Sequence, residues 1–359
     1  MFEEIASAIA QQNYSRATQL IETLKQEHPD HPWLRFYGAQ VEAAQGNRDR
    51  AKATYQTLLQ ECSHRKLLLQ VREALRQLET RVEEREKSAI AQALAQPGGQ
   101  DTAVFILSAL PLDKKQPAAQ ALGKMFSMDP YTARLQIPSR GWRLFRVGAM
   151  GELLYYTTQL QKREIPCFCM PLIALDTLNV FQVHYFRSQG DQVSARCSNQ
   201  QGEEGTLTFH WSEVQQQVQG HLPIFEEVVT TDARRKQKRK TATLDYVQVC
   251  DLHLLARRTI LRLCDQQYQF PTSNSTQKDE TIRQNWVQLL ADLKTKMSHH
   301  QFWQDFTPFG ESAIAFPHLL KRITPHIDLK RRYETSWDSA FQLYSGLAFF
   351  RGESDPRQP

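Results

Sequence analysis

The sequence predicts a multi-domain α+β protein. Three observations carry this prediction: a stretch from Asn13 to Ser63 that repeats itself at a spacing of 34 residues, a segment of about 70 residues that alternates between strand-like and helical patterns, and a later region with period-two alternation. In chain order they predict N-terminal α-helical repeats, a small βααβαβ unit, an antiparallel β unit and C-terminal helices. With 359 residues, the chain exceeds the length at which single cores usually stop growing, so we expect several domains.

Breaks in the pattern predict the boundaries. Pro97-Gly-Gly ends the helical region, because neither residue type continues a helix. The predicted parts are a repeat domain over residues 1–96, a small α/β domain over 101–175, a β-rich and then α-helical domain over 176–350, and a disordered tail over 351–359. The alternative is that residues 100–350 form one continuous α+β body.

The repeat is visible in matching positions. Asn13-Tyr-Ser-Arg-Ala17 is echoed by Asn47-Arg-Asp-Arg-Ala51, and in both copies two larger apolar residues follow on the same helical face: Ile21 and Leu24, then Tyr55 and Leu58. This period resembles the tetratricopeptide repeat, as do Gly46 at the turn of the second copy, Ala39 at a small position and Pro29 at the end of the first copy.

The repeat region should contain about two repeats and a long closing helix over residues 64–95. The charged run Glu79 to Lys87 is typical of the polar outer side that ends a repeat stack. The resemblance implies a groove that holds a protein partner, with the chain acting as a scaffold or assembly factor. We expect partner contacts at Tyr14, Trp33, Tyr37, Gln40, Arg48 and Tyr55.

Residues 101–172 predict the order strand, helix, helix, strand, helix, strand. Asp129 followed by Pro130 is a capping and first-turn pair for the second helix. The order resembles the C-terminal domain of the bacterial ribosomal stalk protein, but Ser127-Met-Asp-Pro replaces its glycine-rich turn, and no functional residue is carried over. The whole chain also resembles cyanobacterial repeat proteins of unassigned role, which implies a setting in the assembly or maintenance of a larger complex.

Beyond residue 175 the pattern changes to strands and then helices. Four alternating runs predict an antiparallel sheet: Val180–Phe186, Gln192–Cys197, Thr206–Trp211 and Leu244–Leu252. Helices are predicted over His253–Gln267 and Glu280–Met297, then as short pieces divided by Pro308, Pro317 and Pro325, and finally from Thr335 or Ser336 onward.

A basic run stands out between the predicted strands. Six of its seven positions are cationic, and the candidate anion-binding residues are Arg234, Arg235, Lys236, Lys238, Arg239 and Lys240. We place them in a loop that projects from the sheet. The run supports an alternative function, a ribosome- or nucleic-acid-associated factor gripping phosphates. The plainer alternative is a mobile, solvated hairpin loop, and no aromatic residue is interleaved for base stacking.

Catalytic motifs are not evident. We find no Gly-x-Ser-x-Gly turn, phosphate-binding glycine loop or His-Glu-x-x-His, so we predict a non-enzymatic protein without cofactors. Cys250-Asp-Leu-His253 with Cys264 could begin a zinc site but lacks a fourth ligand, so no metal is predicted. Tyr344-Ser-Gly346 is interpreted as helix packing.

Composition narrows the setting. The net charge of +5 is weak support for an anionic partner, and the six scattered cysteines are typical of reduced core residues. No apolar run approaches the roughly 18 residues of a membrane span, and the opening Met-Phe-Glu-Glu-Ile-Ala lacks the features of a secretory leader. We therefore expect a cytoplasmic protein with a protein partner, and leave the oligomeric state open.

Overall fold

The computed structural model describes residues 2–231, 237–270, 281–297, 300–329, 331 and 335–353, with only the backbone described at 228–231, 237–241 and 353. The chain divides into two compact units, Met1–Gln92 and Ala93–Pro359. Together they form a multi-domain α+β protein, as predicted. The boundaries at residues 96, 175 and 350 stay predictions.

The first unit is a stack of helices. Its helices are α1 (Phe2–Ala10), α2 (Tyr14–Glu27), α3 (Pro32–Ala44), α4 (Arg48–Glu61) and α5 (Arg65–Leu94). This confirms the four predicted repeat helices and the closing helix. In both copies of the repeat an Asn precedes the second helix, Asn13 before α2 and Asn47 before α4. Asn13 caps α2, because its side chain accepts a hydrogen bond from the Arg16 amide at 3.2 Å.

Small residues at the repeat positions allow the helices of this unit to approach closely. Ala17 and Ala51 are both fully buried, and Leu24, Tyr55 and Leu58 on the predicted face are also buried. Around Tyr55, three helices share one cluster, whose buried members are Phe36, Ala39, Ala51, Tyr55, Leu58, Leu67 and Val71. The closing helix is therefore held to the second repeat by burial of apolar surface.

The second unit begins with a three-stranded antiparallel sheet in the order β2-β1-β3. Its elements are β1 (Thr102–Ser108), α6 (Lys115–Phe126), α7 (Pro130–Gln136), β2 (Trp142–Ala149), α8 (Met150–Gln161) and β3 (Cys167–Pro171). This confirms the predicted order of elements. Asp129 caps α7 as predicted, with its carboxylate accepting a hydrogen bond from the Thr132 amide at 2.9 Å.

A seven-stranded sheet follows, in the order β10-β7-β8-β9-β4-β5-β6. Its strands are β4 (Asn179–Gln189), β5 (Gln192–Ser198), β6 (Glu204–His210), β7 (Gln216–Thr231), β8 (Gln237–Leu254), β9 (Thr259–Cys264) and β10 (Gln301–Trp303). The predicted antiparallel sheet is partly wrong, because β4 pairs with β9 and β7 pairs with β10 in parallel. The other neighbouring pairs are antiparallel.

The C-terminal helices in the described part of the chain agree with the prediction only in part. They are α9 (Ile282–Lys296), α10 (Phe306–Ala313), α11 (Pro317–Leu320) and α12 (Ser336–Glu353). The helix predicted over His253–Gln267 is wrong, because this stretch contains the end of β8 and all of β9. The tail predicted from residue 351 is wrong for residues 351–353, which belong to α12, and residues 354–359 lie outside the described part of the chain.

Helix α12 lies between the two sheets, and every residue from Ala340 to Phe349 is buried. One cluster joins it to the three-stranded sheet through Ile106 and Leu144 and to the seven-stranded sheet through Val218 and Val249. The opposite faces are covered by α6 to α8 on the small sheet and by α9 on the large one. The two sheets of the second unit therefore share one core.

The two longest described helices are α5, with 30 residues, and α12, with 18. In α5 the charged run Glu79 to Lys87 is almost entirely exposed, which agrees with a polar end to the repeat stack. Neither these nor the other helices in the described ranges have the length and apolar character needed to cross a membrane.

Candidate functional site

A groove of about 520 Å³ lies on the first unit, across the first helix of each repeat and the closing helix. Residues of α1, α3 and α5 line it: Ala6, Ile9, Ala10, Phe36, Tyr37, Gln40, Leu69, Gln70, Glu73, Ala74 and Gln77. We call this set the repeat groove. Its lining is apolar or amide-bearing, with Glu73 as its charged member.

Helical spacing explains why these side chains meet. On α3, Phe36 and Tyr37 lie four and three residues before Gln40, which places all three on one face. The start of α3 is fixed by Pro32 and by His31, whose Nδ1 accepts a hydrogen bond from the Trp33 amide at 3.3 Å. On α5 the groove residues recur every three or four positions, so they also lie on one face of their helix.

The charge in the groove is internally compensated. Arg76 forms an ion pair with Glu73 at 2.8 Å, and the Gln77 amide donates to the same carboxylate at 2.8 Å. These hydrogen bonds lower the pKa of Glu73 to about 2, so it is ionised at neutral pH. Burial raises the pKa of the Tyr37 phenol, which stays neutral. The described lining contains no Lys or Arg, so it does not favour an acidic peptide.

An exposed apolar residue marks one side of the groove. Leu69 is 59% exposed, more than the other large exposed hydrophobic residue of this unit, Val82, at 41%. Single exposed leucines are common on protein surfaces. Leu69, however, lies beside half-buried Tyr37 and Ile9 in a concave surface, which is the arrangement that an apolar partner side chain can fill.

The structure separates the predicted partner-binding residues. Tyr37 and Gln40 line the groove. Trp33 is half-buried beside it, with its ring 5.8 Å from that of Tyr37. Tyr55 is only 2% exposed and belongs to the core, so a partner bound on this surface would not touch it. The two remaining residues, Tyr14 on α2 and Arg48 on α4, are half-buried and are not part of the groove lining.

Sequence reasoning missed the contributions of α1 and α5. The repeat period itself carries the signal, because Gln40 shifted by 34 residues falls on Ala6 in one direction and on Ala74 in the other, and both line the groove. The same shift takes Phe36 to Gln70. Extending the period by position, without requiring similar residue types, would have identified these positions.

The candidate anion-binding residues are divided by the structure. Arg234, Arg235 and Lys236 lie outside the described residues. The other three, Lys238, Arg239 and Lys240, lie on β8 and pair with Val228 to Thr230 on β7, so the prediction of a loop is wrong for them. The physical reason is the run Val228-Val-Thr-Thr231 on the facing strand, since β-branched residues favour extended backbone.

A buried polar cluster occupies the centre of the second unit. Arg262 on β9 donates two hydrogen bonds to Asp251 on β8, at 2.8 and 2.7 Å, and both side chains are 0% exposed. Ser345 on α12 donates to the same carboxylate at 2.6 Å and lies 2.9 Å from Nε2 of His253. The cluster holds α12 against the sheet, because the ion pair and the hydroxyl satisfy one another away from water.

The same geometry explains why the cysteines near this cluster do not form a metal site. Cys250 and His253 are three residues apart on one strand, so their side chains lie on opposite faces of the sheet. Cys264 lies on the α12 face, whereas Cys250 packs on the α9 face and its sulfur accepts a hydrogen bond from Gln217 at 3.2 Å. Within the described ranges, no three His, Cys, Asp or Glu residues are placed to hold a metal ion.

The cluster contains Ser, His and Asp but differs from a hydrolytic triad in two respects. The Ser345 hydroxyl donates its proton to Asp251 instead of to the histidine. In addition, Nδ1 of His253 is buried and has no hydrogen-bond partner in the described part of the chain, so no carboxylate orients the ring. With all four side chains buried, this arrangement organises packing, as the sequence interpretation of Tyr344-Ser-Gly346 proposed.

We expect His253 to make the stability of the second unit sensitive to acid. Burial lowers the pKa of His253 from 6.5 to about 4, with Asp251 opposing and Arg262 reinforcing the shift. Between these pH values the His253 imidazole is protonated in the unfolded chain and neutral in the folded chain. The free energy of unfolding therefore falls by up to about 3 kcal/mol as pH decreases from 6.5 to about 4. Urea unfolding at several pH values should show that the free energy of unfolding depends less steeply on pH in the His253→Gln variant. An unchanged pH dependence would contradict this assignment.

Two stacked helical pairs with a groove along their first helices define a helical-repeat segment. Residues 8–61, from within α1 to the end of α4, match the tetratricopeptide repeat family, so this segment is a tetratricopeptide repeat region. Such repeats generally mediate protein–protein interaction. Comparison with curated proteins and with solved structures found no match to the chain. The comparisons therefore lend no support to the resemblances to the ribosomal stalk domain and to cyanobacterial repeat proteins.

Proposed function

We propose that this chain is a non-enzymatic interaction protein, a scaffold or assembly factor that binds a segment of a partner protein in the repeat groove. The observation that carries the proposal is the coincidence of a tetratricopeptide repeat match with an open groove on α1, α3 and α5. The residues of the groove lie on helices that are packed on buried apolar clusters, so the surface is preorganised for binding.

The lining indicates the chemistry of the partner segment. Ile9, Tyr37 and Leu69 offer apolar contact, and the amides of Gln40 and Gln70 can each donate and accept a hydrogen bond. A segment with apolar side chains on one side fits this surface, with the glutamines satisfying its polar backbone groups. Because the groove carries a single compensated carboxylate, we expect binding to depend only weakly on salt.

The test is a comparison of two matched substitutions on α5. Leu69→Asp places a carboxylate in the groove, where an apolar partner residue would desolvate it, and we expect it to weaken binding by at least about tenfold. Val82→Asp makes the same change at an exposed position outside the groove and should leave binding unchanged. The partner would first be identified by capture with the full chain, and affinities then measured by calorimetry with the purified partner.

A further variant, Tyr37→Ala, checks the opposite side of the groove and should also weaken binding, because half-buried aromatic residues commonly dominate interface energies. Circular dichroism of each variant would confirm that the helices are intact. Equal affinity of the chain carrying Leu69→Asp and the chain carrying Val82→Asp would refute binding in the repeat groove.

A second candidate function is contact with nucleic acid or the ribosome through the basic run 234–240. It is favoured by the placement of residues 238–240 on a long antiparallel pair of strands, since two-stranded ribbons can enter the major groove of a duplex. If this function holds, affinity for duplex DNA should fall with salt at a log-log slope of about 0.9 per neutralised phosphate. Replacing all six basic residues by Gln should abolish that salt dependence. If the chain with these six substitutions still captures its protein partner, the result favours binding in the repeat groove.

A further inference from the structure

A cavity of about 360 Å³ in the second unit is independent of the repeat groove. It is bounded by the short 3-10 turn Leu172–Thr177, by α12, by the chain that follows α11, and by the turn between β5 and β6. Apolar side chains, including Leu175, Leu178 and Ile323, form part of its wall. Its volume lies within the range of roughly 300–1,000 Å³ that is usual for small-molecule sites.

One wall of this cavity carries an unpaired polar group. Gln342 is 1% exposed and lines the cavity, yet its Oε1 has no hydrogen-bond partner among the described residues. Two polar residues that follow it on α12 are satisfied, since Tyr344 bonds to the backbone of Asp305 and Ser345 to Asp251. A buried amide oxygen without a partner is costly, so the position favours a ligand that supplies an N–H or O–H donor.

A second wall is held in place by the buried polar cluster. The carbonyl groups of Pro325 and His326 accept hydrogen bonds from Arg262 at 2.6 and 3.4 Å. His326 has a left-handed φ of 52° and its Nε2 lies 3.3 Å from Nε2 of Gln200. Burial and the charge of Arg262 lower the pKa of His326 to about 4, so its ring is neutral at physiological pH. The cavity therefore presents neutral polar groups at fixed positions.

The lining contains one charge of each sign. Asp176 and Arg322 are both exposed, and Arg322 is oriented by donating from Nη1 to the Thr102 hydroxyl at 3.0 Å. A phosphate-bearing ligand would contact one guanidinium and one carboxylate. The carboxylate repels a multiply charged anion, so the site does not favour phosphate. A zwitterion is complementary to both groups, with its cation at Asp176 and its anion at Arg322.

We infer that this cavity binds a free amino acid whose side chain bears an N–H or O–H donor. The α-ammonium group pairs with Asp176, the α-carboxylate pairs with Arg322, and the side-chain donor reaches Oε1 of Gln342. Asparagine, glutamine, arginine, lysine, histidine, tryptophan, serine, threonine and tyrosine carry such a donor. Isosteric residues without a donor at that position, such as leucine and methionine, leave the Gln342 oxygen unpaired and are the disfavoured ligands.

The inference is tested with the full chain and the twenty free L-amino acids at millimolar concentration, by thermal shift and saturation-transfer NMR. We expect binding by members of the donor-bearing group and not by leucine or methionine. Gln342→Leu should weaken that binding by at least about tenfold while leaving the thermal midpoint of the empty protein equal or higher, because it removes a buried unpaired oxygen.

A second variant keeps the test decisive if Gln342→Leu fails to fold. Asp176 is exposed, so Asp176→Asn should preserve the fold and still weaken binding, whereas Asp292→Asn, a matched exposed change on α9, should have no effect. The absence of binding by every amino acid would overturn the inference. Binding that is unchanged in both the Gln342→Leu and the Asp176→Asn variants would overturn it equally.

Discussion

Replacing Arg262 by Met should lower the free energy of unfolding of the second unit by about 3–5 kcal/mol. The substitution removes both hydrogen bonds to Asp251 and leaves its carboxylate at 0% exposure, without a counter-ion on β9. It also removes the donor to the carbonyl groups of Pro325 and His326 and the cation that packs 5.1 Å from the centre of the Phe341 ring. A buried unpaired charge is among the most destabilising changes that one substitution can make.

Urea unfolding followed by tryptophan fluorescence would measure this loss, because five of the six tryptophans lie beyond residue 93. The matched control is Arg257→Met, which breaks the ion pair with Glu213 at 2.6 Å on the surface. Pairs with this much exposure contribute about 0–1 kcal/mol. A loss at Arg262 no larger than the loss at Arg257 would contradict the role assigned to the buried pair.

The double substitution Asp251→Leu with Arg262→Met separates charge from packing. Replacing both members of a buried ion pair by apolar residues of similar volume is often neutral or stabilising. We therefore expect the double variant to recover much of the stability that Arg262→Met loses. The Ser345 hydroxyl, which donates to Asp251, would keep only its contact with His253, so full recovery is not expected.

Replacing Tyr55 by Ala should destabilise the first unit by about 3–5 kcal/mol, since truncating a buried aromatic ring leaves a cavity. Tyr55 is 2% exposed and packs with Phe36 of α3 at a ring distance of 5.9 Å and with Leu67 and Val71 of α5. The loss should be confined to this unit. Hydrogen exchange monitored by mass spectrometry should show lower protection in residues 2–92 and unchanged protection in the described ranges beyond residue 93.

Tyr55→Phe is the matched control for this prediction. It keeps the ring and removes a phenol whose pKa is raised to about 12, by burial and by the charge of Glu42, so no charge is lost. We expect it to change stability by about 1 kcal/mol at most. Tyr55 packs against Phe36, which lines the repeat groove. Partner binding that is lost in the Tyr55→Ala variant should therefore be retained in the Tyr55→Phe variant. Equal losses in both variants would point to the hydroxyl group and away from packing.

The sequence predicted most of the helices and strands whose residues follow one clear periodicity or begin with a capping residue. The period between Asn13 and Asn47 predicted the repeat helices, and Asp129-Pro130 predicted the start of α7. Both succeed for the same reason, since a helix start or an apolar stripe depends on residues within one or two turns. The groove was predicted only in part, because its α1 and α5 sides carry residue types that do not repeat those of α3.

The missed strands had patterns that are ambiguous without their neighbours. The residues Thr259 to Cys264 of β9 are buried on both faces, so their sequence lacks alternation and resembles a buried helix. In β7, Gly220 and Pro223 argue against a strand. The structure requires the glycine, because a Cβ there would lie 2.5 Å from the Phe341 ring, and it tolerates the proline beyond the residues that pair with β10.

The sequence by itself determined the helical repeats and the order of the small α/β unit, because these depend on contacts close together in the chain. Only the tertiary structure decided the rest. It brought Asp251 and Arg262 together with Ser345, 94 residues beyond Asp251, and it placed α12 between two sheets. It also placed the Gln342 oxygen beside a cavity, where no residue of the described ranges pairs with it. The physical reason is that burial and pairing of polar groups depend on residues distant in sequence, whose proximity no local pattern encodes.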